Sequence, residues 1–149
     1  MSFYGEYEQT AKADGRYLLV NIVKEKGKNL MKHIYLNLKR FDVPVEFGGV
    51  NRLAPVADWA SCIVKNTQEE LKTYDPTEVE FGMYFPEVHL LNAVAAKTEG
   101  SPVQIGCQSV FRADTAVGGN FGAFTTNRPA SAMVAAGCET TIIGHCEER

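Results

Sequence analysis

The sequence predicts an α/β domain built on a parallel sheet. Three observations carry that prediction. Strand-like and helix-like stretches alternate from Met31 onward. Proline, glycine and aspartate fall at the joints between them. Polar side chains collect where the strand-like stretches end, while the strand bodies stay apolar. Alternation of this kind implies parallel strands joined by helical crossovers, right-handed by the usual rule. In such folds the chemistry gathers at the C-terminal ends of the strands.

Residues 1–30 read as an N-terminal extension of unknown role. Tyr17–Val23 is an apolar run suited to a short helix or strand, and the charged Lys24-Glu25-Lys26-Gly27-Lys28 follows it. The regular domain is expected over residues 31–149. His33-Ile34-Tyr35-Leu36 is its first strand, followed by Asn37-Leu38-Lys39-Arg40 and a loop with Asp42, Pro44 and Gly48-Gly49. Leu53 to Leu71 predicts an amphipathic helix, because Leu53, Val56, Ala57, Ala60, Ile63 and Val64 recur at three- and four-residue spacings. Tyr74-Asp75-Pro76-Thr77 breaks the chain.

Val79–Phe85 is the second strand, ended by Pro86. Glu87 to Lys97 predicts a second helix with Val88, Leu91, Val94 and Ala95 on one face. After the turn at Glu99–Pro102, Val103–Gln108 is the third strand. The glycine-rich loop from Ala116 to Asn127 lacks the Gly-Lys-Ser/Thr that would close a phosphate-binding P-loop. Pro129 suits the first turn of a third helix, Pro129 to Ala136, with Gly137 as its stop. Thr140-Thr141-Ile142-Ile143-Gly144 then reads as a buried fourth strand that delivers His145 to the rim.

Composition excludes several classes of function. Charged residues make up 22% of the chain and the net charge is −3, with no basic stripe, so nucleic acid is not an expected partner. The longest apolar runs fall far short of the roughly 18 residues of a membrane span. The N-terminus has no basic segment before an apolar one, so no signal peptide is expected and the chain is read as cytoplasmic. Cys62, Cys107, Cys138 and Cys146 form no Cys-x-x-Cys pair, which points to reduced thiols and to no metal site.

The strand ends carry Asn37 and Lys39, then Cys107 and Gln108, then His145 and Glu147. A lone lysine is most often a solvated side chain, and a lone histidine most often a cap or core residue. Together, polar groups converging on one rim, with an imidazole that can meet a substrate near neutral pH, point to a functional site there.

These positions also carry a resemblance. Asn37-Leu38-Lys39, Gly106-Cys107-Gln108, Gly122-Ala123-Phe124-Thr125 and Ile142-Ile143-Gly144-His145-Cys146-Glu147 resemble four motifs of the triosephosphate isomerase family, in that family's order. The resemblance spans residues 31–149. It implies a partial TIM (β/α)8 barrel of about four βα units, α/β in class, with the extension before it. It implies the interconversion of dihydroxyacetone phosphate and glyceraldehyde 3-phosphate through an enediolate, without a cofactor. Lys39 would meet the substrate phosphate and the developing oxyanion, and Asn37 would hold the substrate. His145 would polarise the carbonyl as a neutral imidazole, as in the family's established chemistry. Glu147 would support the network around Lys39 and His145. Phe124 and Thr125 would lie on a loop reaching into the partner of a homodimer.

The departures set further expectations. The complete fold takes about 250 residues, and no glutamate here matches the family's proton-abstracting base. The chain alone is therefore expected to be inactive, and either a complementary C-terminal half or a non-catalytic binding or interaction role remains open. Cys146 replaces the family's serine, Glu148 its arginine, and Thr125-Thr126-Asn127 its Thr-Gly-Glu. The ion pair between that glutamate and arginine is thus lost as a unit, which weakens the case for dimerisation through this loop. Thiol catalysis by Cys146 with His145 is disfavoured, since neighbours on an extended segment point apart. A half-barrel would also expose two parallel edges, one of which the extension could cover.

Overall fold

The computed structural model describes residues 19–21, 31–119 and 124–148. They form one five-stranded sheet, ordered β1 (Leu19–Asn21), β2 (Lys32–Asn37), β3 (Val79–Phe85), β4 (Val103–Cys107) and β5 (Thr140–Thr141). Strands β2 to β5 are parallel neighbours, half of a parallel barrel, in the order the sequence predicts. The added strand is β1, which pairs antiparallel with β2, Leu19 opposite Tyr35 and Asn21 opposite His33. The rest of the extension lies outside the described residues.

Helices α1 (Val56–Leu71) and α2 (Leu90–Ala96) pack on one face of the sheet, and α3 (Ala130–Ala135) precedes β5. Trp59, Ala60, Val64 and Leu71 of α1 meet Met83, Phe85, Ile105 and Cys107 of the strands, with Leu90, Ala93 and Ala96 of α2 beside them. Each fully buried aliphatic or aromatic side chain here contributes about 1.5–3 kcal/mol. Gln68, buried on α1, ties the helices together. Its amide donates to the Ala96 carbonyl at 3.1 Å, and its oxygen accepts the Thr98 N–H at 3.1 Å.

The other face of the sheet is polar and aromatic. His33 on β2 pairs with Glu80 on β3 at 3.0 Å, and the Tyr84 hydroxyl lies 3.3 Å from that of Thr140. Tyr35 and Tyr84 meet edge to face across β2 and β3. Gly82 and Gly106 make room for these rings: a Cβ at Gly82 would come within 2.7 Å of Tyr35, and one at Gly106 within 2.7 Å of Tyr84.

Several expectations need correction. Helix α1 starts at Val56, not Leu53, because Asn51 makes a turn there: its Oδ1 accepts the Leu53 N–H at 3.0 Å and its Nδ2 donates to the Ala54 carbonyl. Its buried face is accordingly Trp59, Ala60, Val64, Gln68 and Leu71, while Leu53 and Val56 are exposed. The second helix begins with a 3-10 turn, Glu87–His89. That tighter turn advances the helical phase by more per residue than an α-turn does. The buried face therefore becomes His89, Leu90, Ala93 and Ala96, and the predicted face residues Val88 and Leu91 are exposed. The fourth barrel strand is only Thr140–Thr141, and Ile143 is 81% exposed rather than buried. Its partner β4 ends at Cys107, so pairing stops once Ile142 N–H has reached the Cys107 carbonyl.

Candidate active site

The ends of β2, β4 and β5 share one rim because these strands run parallel. Asn37 closes β2, and its Oδ1 accepts the Lys39 N–H at 3.0 Å. Such side-chain turns let the backbone enter the left-handed region. Lys39 has φ +48°, the one non-glycine residue with positive φ among the described residues. That conformation costs an L-residue about 1–2 kcal/mol and persists where the surroundings over-determine it.

The over-determining group is Gln108, just past β4. Its Nε2 donates to the Lys39 carbonyl at 2.9 Å and to Asn37 Oδ1 at 3.1 Å. Side chains from two strand ends therefore fix both main-chain polar atoms of Lys39, while the residue itself stays exposed.

His145 follows Gly144, whose φ is +81°, and precedes a 3-10 turn at Cys146–Glu148. The turn aims the Glu147 N–H at His145 Nδ1, 3.4 Å away. The Glu147 carboxylate lies 3.7 Å from the same Nδ1 and is 86% exposed. Its side chain was expected to serve Lys39 as well as His145. Among the described residues its polar contacts are with His145 alone, because the turn carries the carboxylate outward. The Asn37–Lys39–Gln108 cluster and the His145–Glu147 pair thus share a rim without a hydrogen bond between them.

The expectation about Cys146 also changes. The segment is turned, not extended, and Cys146 Sγ lies 4.0 Å from His145 Nδ1. That separation is too long for efficient proton transfer within the pair. Cys107 is buried. Its thiol is pulled down to about 6, first by a hydrogen bond with Cys138, whose own thiol is pushed up.

Phe124 packs edge to face on Phe111 at 5.9 Å, and Thr125 is exposed beyond it. The loop that carries them is closed at its base, where Phe111 N–H donates to the Arg128 carbonyl and Arg128 donates to the Ser109 hydroxyl. Asp114 accepts the Ser131 N–H at 2.9 Å, and the Ser131 hydroxyl holds its carboxyl below the usual range. A concavity of about 650 Å³ lies between this base and Ile143-Gly144, and neither His145 nor Lys39 lines it.

Two features escaped sequence reasoning. Gln108 was read as a rim residue, but its two bonds to the Lys39 turn were not. The only available signal was an amide at one strand end beside an Asn-x-Lys at another. The buried Asp42–His89 pair gave no signal, since its members lie 47 residues apart.

The family model for triosephosphate isomerase matches residues 57–149, more than half of the chain. The matched span includes Gln108, His145 and Glu147, whereas Asn37 and Lys39 precede it. No curated protein matches the chain.

Proposed function

The chain belongs to the triosephosphate isomerase family, and on that premise we propose that its rim is the electrophilic half of a triose phosphate isomerase site. The observation that carries this reading is the fixed, left-handed Lys39 between Asn37 and Gln108. Strain held in place by two outside side chains is what a working residue shows and a solvated surface lysine does not need.

The chemistry follows from charge. Removing a proton beside the carbonyl of dihydroxyacetone phosphate or glyceraldehyde 3-phosphate puts negative charge on oxygen. A lysine ammonium and a neutral Nε2–H aimed at that oxygen lower the barrier. Lys39 also meets the phosphate, Asn37 holds the substrate, and Glu147 positions His145. The proton-abstracting carboxylate has no match among these residues, so we assign it to a complementary C-terminal half. The chain alone binds and does not turn over.

The pairing of β1 with β2 favours a second reading, a half-barrel that binds or interacts without catalysis. Under either reading the partners are a phosphorylated triose and either a second copy, through the loop of Phe124 and Thr125, or the complementary half. The setting is cytoplasmic.

Calorimetry with 2-phosphoglycolate, whose carboxylate mimics the enediolate, tests the site. The folded chain should bind it, and Lys39→Ala should weaken binding at least about tenfold, as expected for a lost hydrogen bond to a charged group. Isomerase activity should appear only after a C-terminal half is added. No binding by the folded chain, or equal binding by Lys39→Ala, overturns the assignment.

A further inference from the structure

Three residues beyond Lys39, Asp42 is 2% exposed. A buried carboxylate in a loop is costly unless it is paired. Its Oδ2 accepts from His89 Nε2 at 2.9 Å and from Arg40 Nη2 at 2.6 Å. His89 is also 2% exposed, sits in the 3-10 turn after β3, and rests on the Trp59 ring at 5.1 Å. The loop is fixed around the same point. Asn51 donates to the Asp42 carbonyl at 3.1 Å and its N–H to the Val43 carbonyl at 2.9 Å, while Phe41 N–H donates to the Leu38 carbonyl at 3.1 Å.

Core packing does not explain this pair. Apolar side chains of similar volume usually pack as well as a buried ion pair, or better. What a hydrogen-bonded pair adds is direction: an apolar contact tolerates sliding, whereas Nε2–H to carboxylate does not. Asn37 and Gln108 hold Lys39 itself, and Asp42 and His89 hold the chain just after it. With both sides held, the peptides following Lys39 cannot rotate to relieve its positive φ. We infer that the buried Asp42–His89 pair is a positioning device for Lys39, locking its loop onto the start of the second helix. The inference rests on Lys39 belonging to the site.

Two readouts on His89→Phe and His89→Gln test it. Phenylalanine keeps the ring on Trp59 and loses the bond to Asp42; glutamine can donate from the same place. In His89→Phe, amide exchange over residues 38–51 should quicken and 2-phosphoglycolate should bind about tenfold more weakly, while α1 keeps its protection. His89→Gln should restore both. Unchanged exchange in 38–51 overturns the inference, as does a loosened loop with unchanged affinity or a failed rescue by His89→Gln. If His89→Phe does not fold, D42N/H89F leaves no unpaired carboxylate and carries the same expectations. If the parent chain does not bind 2-phosphoglycolate, the isomerase reading falls, and the exchange arm alone decides whether the pair locks the loop.

Discussion

Lys39 sits where glycine would be cheaper, at φ +48°. Glycine there would shed the left-handed cost and give back part of the gain as extra freedom in the unfolded chain. Lys39→Gly should therefore raise unfolding stability by up to about 1 kcal/mol while abolishing 2-phosphoglycolate binding. Urea denaturation and calorimetry on one sample read both effects. A fall in stability would mean that the lysine side chain itself holds the turn, and that the strain argument for its function is wrong. The same scale shows how His145 is held. Its Nδ1 faces both the Glu147 N–H and, at 3.7 Å, the Glu147 carboxylate. The N–H is closer and fixed by the turn, whereas the carboxylate is largely solvated.

At the scale of elements, β4 and β5 connect the core to His145. Gly106 lies on β4 opposite Thr140 of β5, and a Cβ there would come within 2.7 Å of Tyr84 Cδ1, 2.8 Å of Thr140 Cγ2 and 2.8 Å of the Thr140 carbonyl oxygen. A ring can shift, but a backbone oxygen moves only with its strand. Gly106→Ala should thus cost about 1–3 kcal/mol and lower Tm by several degrees. Amides at Thr140–Thr141 should lose protection before those of Val103–Ile105, and a uniform loss would show that β5 is not the part that gives way. Sequence periodicity located β3 to its last residue because Pro86 and the turn at Tyr74–Thr77 bracket it. It misjudged the second helix because a 3-10 first turn shifts phase without any residue that announces it. It overextended β5 because Ile142 and Ile143 are good strand residues with too little partner strand to pair with. Local preference writes what an element could be, while neighbours decide how much of it forms. The rim residues were legible for a related reason. Asn-x-Lys and Gly-His are short, local patterns, whereas the Gln108 and Asp42–His89 contacts exist only after distant strands meet.

For the whole molecule, the decisive feature is which sheet edges are covered. A closed barrel has no edges, so its first strand must pair with its last. Here β2 is the first parallel strand, and antiparallel β1 occupies its outer side. Strand β1 thereby satisfies backbone groups that would otherwise template aggregation, and it also stands where a closing strand would go. A complementary half would have to displace β1 before the barrel could close on that side. Val20 lies opposite Ile34 in the middle of this pairing. Proline at that position fixes φ near −65° and removes the N–H, both unsuited to a strand. Val20→Pro should release β1, so that amides of Lys32–Asn37 exchange faster and sedimentation shifts toward larger species than the parent chain forms. With a C-terminal half present, the same variant should associate with it more readily than the parent does, because the displacement step is gone. If Val20→Pro sediments as the parent does and pairs no better, β1 neither guards the edge nor competes for it, and the half-barrel must protect β2 by other means.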